Sequence, residues 1–193
     1  TELGKEATLQ TVKKEKPDAV VVATGSALSY PDIPGVEKRI VTNAIDVLLG
    51  KAQPGSKNIV IGGGAIGCEL ALHLVQHGKK VTILEMLPEV ATDVPFFGRD
   101  PFRTALVDQG VSIMTNSKVV EITDKGIVAV DRDQNIFRLE GDRVVLATGL
   151  VSQAGLYEQL RSIVPEVYMI GDCVEPRRIG EATHDGFRIG NTI

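Results

Sequence analysis

The chain has 193 residues, room for one or two compact domains, and its 43% hydrophobic and 24% charged residues give a soluble globular composition. A net charge of −4 comes without a long basic block: Lys13, Lys14 and Lys16 are interrupted by Glu15 and read as a solvated helix face, so no nucleic-acid partner is expected. No apolar run approaches the ~20 residues of a membrane helix, no signal peptide is visible, and Cys68 and Cys173 have neither disulfide nor metal-ligand spacing; the expectation is a cytoplasmic protein with no membrane partner and no metal site.

In chain order, residues 11–16 read as a short helix stopped by Pro17. The apolar, β-branched run Ala19–Ala23, ending in Thr24-Gly25, fits a strand buried on both faces, as in a parallel sheet. Residues 29–35, with Pro31 and Pro34, read as an irregular crossover. A short helix over Ala44–Leu49 ends at Gly50, and Pro54-Gly55 makes a turn. Asn58–Ile61 is a second buried strand. Ala65, Cys68, Leu72 and Val75 recur at helical spacing and predict a helix over Ala65–His77, capped by Gly78.

Lys80–Leu84 is the next strand, ending at Glu85. Asp100-Pro101 reads as the N-cap and first turn of a helix running to Gln109, with Gly110 as its stop. Val111–Met114 follows as a strand. Lys118–Thr123, Gly126–Val130 and Asn135–Leu139 are three short strands at hairpin spacing. Arg143–Ala147 runs into Thr148-Gly149, and Val167–Ile170 into Gly171-Asp172. A helical pattern from Gly180 continues to the last residue, and the first residue is not Met; a piece of a longer protein is expected.

One similarity is internal. Val20-Val-Val-Ala-Thr-Gly25 recurs as Val144-Val-Leu-Ala-Thr-Gly149, which suggests two nucleotide-binding folds of one kind, the second inserted into the first.

Gly62-Gly63-Gly64-Ala65-Ile66-Gly67 satisfies GxGxxG. The pattern alone is weak, but a buried strand precedes it, an amphipathic helix follows, and a second strand ends in an acid at Glu85; together these form a dinucleotide fingerprint. Gly62 permits the tight turn, Gly64 admits the diphosphate without a Cβ in the way, and Gly67 lets the helix pack close to the sheet. The helix mouth is expected to present unpaired N–H groups to that diphosphate. Glu85 is expected to accept hydrogen bonds from ribose hydroxyls and to repel a 2′-phosphate. No Arg or Lys follows in Met86-Leu87-Pro88, so NAD(H) is preferred over NADP(H).

These residues resemble the pyridine nucleotide-disulfide oxidoreductase superfamily of two-dinucleotide-domain flavoproteins, over nearly the whole chain. Asp18–Ser26 resembles the strand returning from the FAD domain, Ile33-Pro34-Gly35 the crossover after it, and Val167-Tyr-Met-Ile-Gly-Asp172 the second FAD motif. More narrowly, Val164–Arg178 with Glu181–Gly186 is similar to the C-terminal portion of Old Yellow Enzyme-related NADH:flavin oxidoreductases. These are the 2,4-dienoyl-CoA reductase, 2-enoate reductase and NADH oxidase types, in which an N-terminal TIM barrel carries FMN and a 4Fe-4S cluster.

The resemblance implies an α/β, Rossmann-like three-layer NAD(P)-binding domain with a β-meander over residues 40–150. It is inserted in a partial FAD-type fold made of residues 1–39 and 151–193. It further implies that NADH passes hydride to FAD, with electrons continuing to FMN in the missing N-terminal barrel, and that the other half of the FAD domain lies outside this chain. Carried over by position, Asp172 holds the flavin ribitol with Gly171 allowing close approach. Thr24, Gly25, Thr148 and Gly149 end the two nucleotide-facing strands, Met86 follows Glu85 at the adenosine end, and Glu69 approaches the nicotinamide edge.

Other candidates are weaker. Cys68 reads as helix packing, Cys173 has no redox partner, His73 and His77 read as a solvated helix face, and His184 lies near the implied flavin without a defined role. No nucleophile–base set is readable, so no catalytic residue is named and the chemistry falls to the cofactors. A disulfide reductase would need a CxxC pair, which this sequence lacks, although such a pair has room in the missing N-terminal part. A short-chain dehydrogenase would need Tyr-x-x-x-Lys, and the residues four after Tyr30, Tyr157 and Tyr168 are Pro34, Arg161 and Asp172. The alternative from another class is a non-catalytic module holding ADP as a structural ligand.

Because the first FAD fingerprint is absent from the sequence, the purified chain is expected to bind FAD weakly or not at all and not to turn over. Titration with FAD checks this, and tight stoichiometric binding contradicts it.

Overall fold

The computed structural model describes residues 1–193. The chain divides into two compact units, one of residues 29–149 and one of residues 1–28 with 150–193.

The inner unit is built on a five-stranded, wholly parallel sheet. Its strands are β3 (Val41–Asn43), β4 (Lys57–Ile61), β5 (Lys80–Leu84), β6 (Ser112–Met114) and β10 (Arg143–Leu146), in the order β3-β10-β4-β5-β6. Helices α2 (Ala44–Leu48), α3 (Ala65–Gln76) and α4 (Phe96–Asp108) contribute to one apolar core. Val60, Val81, Ile83 and Val145 pack there with Leu70, Ala71, Leu74 and Leu106. The opposite sheet face carries Ile59, Ile61, Leu84, Val144 and Leu146. It is covered by an antiparallel meander of β7 (Lys118–Thr123), β8 (Gly126–Val130) and β9 (Ile136–Glu140), through Val119, Ile122, Ile127 and Ala129. Successive strand residues point to opposite faces. With both faces covered, the central strands must be apolar without alternation, which is what makes Asn58–Ile61 and Arg143–Ala147 readable as runs. The three layers are the expected Rossmann-like fold with its meander.

Residues 29–39, assigned from the sequence to the flanking unit, pack on this inner one. Ile33 and Val36 lie against the meander core, Ile122 N–H donates to the Pro34 carbonyl at 2.8 Å, and a Cβ on Gly35 would stand 2.1 Å from the Ile122 carbonyl oxygen.

In the flanking unit β1 (Ala19–Val22) pairs in parallel with β12 (Glu166–Met169), and β2 (Ser26–Leu28) pairs antiparallel with β11 (Leu150–Ser152). Helices α1 (Leu9–Glu15), α5 (Gly155–Leu160) and α6 (Ile179–Gly190) and a 3₁₀ turn over Gly171–Cys173 complete it. Val22, Leu160, Val164 and Cys173 form its small core. No helix of the chain is long and apolar enough to cross a membrane.

The structure differs from the sequence reading at α4, which begins at Phe96 rather than at Asp100 and carries Pro101 inside it. Pro101 removes one N–H from the second turn, but the Phe97 carbonyl it would have served belongs to a residue 93% exposed, where an unpaired main-chain group costs little. The sequence reading also passes over β2, β3, β11 and α5. The three strands have three residues each, too short to show a period.

Candidate functional site

The Gly62–Gly67 turn joins β4 to α3 by a close main-chain contact. Gly62 has φ +106°, a region that excludes most side chains, and a Cβ there would lie 2.3 Å from the Ala147 carbonyl oxygen. A Cβ on Gly67 would lie 2.1 Å from the Gly62 carbonyl oxygen. Both positions require glycine, and the fit brings the first turn of α3 against the ends of β4 and β10.

A cleft of about 570 Å³ opens at the C-terminal ends of the strands, within the usual range for a ligand site. Gly62, Gly64 and Ile66 line it from the turn, Glu85 and Met86 from beyond β5, and Thr148 and Gly149 from beyond β10. Gly63, Ala65 and Gly67 do not line it. Gly63 and Gly67 are buried, and the side chain of Val90 fills the space beside Gly63. Glu69 is exposed on α3 and is not among the lining residues. Thr148 turns its hydroxyl to the Ser29 carbonyl at 2.8 Å, tying the end of β10 to the crossover.

Two amides of this segment depart from the expectation of unpaired N–H groups. Gly63 N–H donates to Glu85 Oε2 at 2.6 Å, and Ala65 N–H donates to both carboxylate oxygens of Asp93, at 2.8 and 3.0 Å. The other Glu85 oxygen, Oε1, accepts Leu87 N–H at 2.8 Å. Helix-start amides have no carbonyl partner within the helix, and a buried N–H left unpaired is costly; acidic side chains meet that need here. Glu85 is 9% exposed and braces the turn from the neighbouring strand while still bordering the cleft. Asp93 has no counterpart in the sequence reading. It acts across 28 residues, and no local pattern reveals such a cap.

Cys68 is fully buried, its thiol donating to the Gly63 carbonyl at 3.3 Å. Burial pushes this thiol up to about 12, so it is a packing group and not a thiolate. His73 and His77 meet on the exposed face of α3, ring centroids 4.3 Å apart and planes tilted by 42°, with His77 Nδ1 on the His73 carbonyl. No group of three or more His, Cys, Asp or Glu side chains is placed to hold a metal.

In the flanking unit, Gly25, Gly171 and Asp172 line a smaller cleft of about 370 Å³ with Arg177 and Ile179. Thr24 is outside it and donates its hydroxyl to the Gln153 carbonyl. Asp172 accepts the Ser26 hydroxyl at 3.3 Å and Arg177 N–H at 3.2 Å. Gly171 has φ +65°, and its N–H donates to Asp185 at 3.1 Å. Asp185, buried on α6, also takes the Arg177 guanidinium. One carboxylate thus fixes both the glycine before Asp172 and the arginine after it. Cys173 is buried, its thiol donating to the carbonyls of Val22 and Ile170. His184 is exposed on α6.

The chain matches the family model described as pyridine nucleotide-disulphide oxidoreductase over residues 2–186. It is 34% identical over 194 residues to an NADH oxidase of Thermoanaerobacter brockii, covering 96% of this chain and 29% of that protein. It is 31% identical over 190 residues to a cinnamate reductase of Clostridium sporogenes, covering 97% and 28%. A solved 2-naphthoyl-CoA reductase in complex with 2-naphthoyl-CoA superposes with a TM-score of 0.91 at 37% identity, over 100% of this chain and 29% of that one. The chain spans less than a third of the length of each of these relatives.

The Gly171 N–H bond, and after it the Arg177 guanidinium, hold the Asp185 carboxyl below the usual carboxylate range. A depressed carboxyl stabilises the fold fully above its unfolded pKa of about 4 and loses that contribution as pH falls through the lower folded value. Acid unfolding of the flanking unit is therefore expected to begin below about pH 4 in the native chain. Asp185→Asn is expected to lower its stability at neutral pH and to flatten that acid limb, read by circular dichroism against pH.

Proposed function

The chain belongs to the pyridine nucleotide-disulphide oxidoreductase family, with relatives of the Old Yellow Enzyme-related reductase type, and from that membership we propose that it is the NADH-binding segment of a flavin-dependent oxidoreductase. In this reading the inner unit (residues 29–149) binds NADH and the flanking unit supplies part of an FAD site. FMN and a 4Fe-4S cluster are assigned in this reading to polypeptide outside this chain. A cytoplasmic setting goes with the same reading; both cysteines are free and buried.

The observation that carries the proposal is the cleft at the C-terminal edge of the parallel sheet, bordered by the interlocked Gly62–Gly67 turn. That edge is where open α/β sheets take their ligands. The residues fit a dinucleotide. Gly64 has no Cβ to block a diphosphate, and the mouth of α3 favours negative charge. Glu85 borders the place of the adenosine ribose, its carboxylate fixed by two main-chain N–H groups. Each of its oxygens keeps a second lone pair for a ribose hydroxyl. Ile66 and Met86 offer apolar contact.

In the flanking unit Asp172 is the acceptor for the flavin ribitol, with Asp185 holding the turn in shape. When bound, nicotinamide supplies a hydride and the flavin accepts it. The chain's own part is to hold the nucleotide, to supply part of the flavin site and to discriminate between pyridine nucleotides.

Mixing the natural full-length flavoprotein anaerobically with reduced nucleotide tests this. NADH is expected to bleach the flavin absorbance, with an apparent Kd for NADPH weaker by about tenfold or more, because Glu85 meets the added 2′-phosphate at close range. Tighter binding of NADPH overturns the assigned role of Glu85. A flavin that NADH does not bleach favours the structural ADP module instead.

A further inference from the structure

The loop between β5 and α4 is braced so that it delivers Asp93 to the mouth of α3. Ala91 N–H donates to the Gly63 carbonyl at 2.6 Å, and Ala91 takes a positive φ of +56° to make that contact. Arg99 donates to the carbonyls of Thr92 and Val94, on either side of Asp93, at 2.6 and 3.2 Å. Arg103 holds the Val90 carbonyl and the Glu89 carboxylate from α4. Two arginines and one strained residue thus fix the main chain around a single acid.

That acid is exposed, yet its carboxylate takes Ala65 N–H with both oxygens. A Cβ on Gly64 would stand 3.2 Å from Asp93 Oδ2, so the glycine that admits a phosphate also admits this carboxylate. Both are anions with oxygen acceptors at the positive end of a helix. They compete for the same donor, and two anions there repel each other.

Resting on the reading of this turn as the diphosphate site, we propose that Asp93 is an affinity-setting residue, a built-in carboxylate that the diphosphate of the dinucleotide must displace from Ala65 N–H. Binding then includes the release of Asp93 into solvent, and this loop sets how tightly the nucleotide is held. The nucleotide gains the amide only at the expense of a bond the protein already has, so its apparent affinity falls below the intrinsic value. Weakened retention suits a nucleotide that has to leave after each turnover.

The test is NADH titration of the natural full-length protein and of Asp93→Asn, which keeps an acceptor oxygen for Ala65 N–H and removes the charge. Asp93→Ser is the second variant, a short neutral cap that keeps the test open if the first folds poorly. Asp108→Asn, on an exposed acid near the end of α4, controls for net charge. Both Asp93 variants are expected to bind NADH about three- to tenfold more tightly at low salt. The gain should shrink as ionic strength rises, and the control should match the native protein. Unchanged or weaker binding in the Asp93 variants, with native binding intact, overturns the role given to Asp93 and leaves the nucleotide reading standing. No NADH binding by the native protein overturns that reading and this inference with it.

Discussion

The structure depends on one close approach of main chain to main chain, Gly67 of α3 against the carbonyl of Gly62 at the end of β4. A side chain at either position would push the helix off the sheet. With the two glycines in contact, the mouth of α3 is aimed into the space beyond the strand ends. The neighbouring strands β10 and β5 then bring Thr148 and Glu85 to the same rim. The sheet supplies the positions and the helix supplies the electrostatic bias toward an anion.

Glu85 and Asp93 show how a turn rich in main-chain amides is kept stable. The Gly63 amide of the turn and the Ala65 amide that starts the helix are both met by carboxylates from other segments. The two acids differ in consequence. Glu85 is buried and held by two N–H groups, so it is part of the frame. Asp93 is exposed and takes Ala65 N–H on both oxygens, so it stands where another anion can compete for that amide. In the flanking unit Asp185 plays the framing part for the Gly171-Asp172 turn, gathering an amide and a guanidinium on one carboxylate.

Much of this was legible in the sequence because the central strands are covered on both faces. Runs such as Asn58–Ile61 and Lys80–Leu84 have few polar interruptions to obscure them, and Gly62 and Gly67 stand where the main chain comes too close for a Cβ. The repeated Ala-Thr-Gly also has a physical basis: Gly25 and Gly149 both take positive φ, and both preceding threonines give their hydroxyls to main-chain carbonyls across a strand connection. What escaped the sequence reading has no local signature. The three-residue strands β2, β3 and β11 have no period to read. Asp100-Pro101 looks like a helix start, yet α4 begins four residues earlier, where solvent makes the missing bond cheap. The carboxylate at Glu85 stood out as the acid ending a strand, but its main-chain partner at Gly63, 22 residues back, is a product of folding. Asp93 lies in a loop that no periodicity describes, and only the folded chain brings it to Ala65.

The central claim is that a diphosphate rests at the start of α3, in the cleft bordered by Glu85. Backbone amide NMR of the isotope-labelled chain during titration with NADH tests it most directly. The account predicts that the largest shift changes fall on the amides of Gly64 to Gly67 and of Asp93. Saturable changes clustered elsewhere, with these amides unmoved, would contradict it.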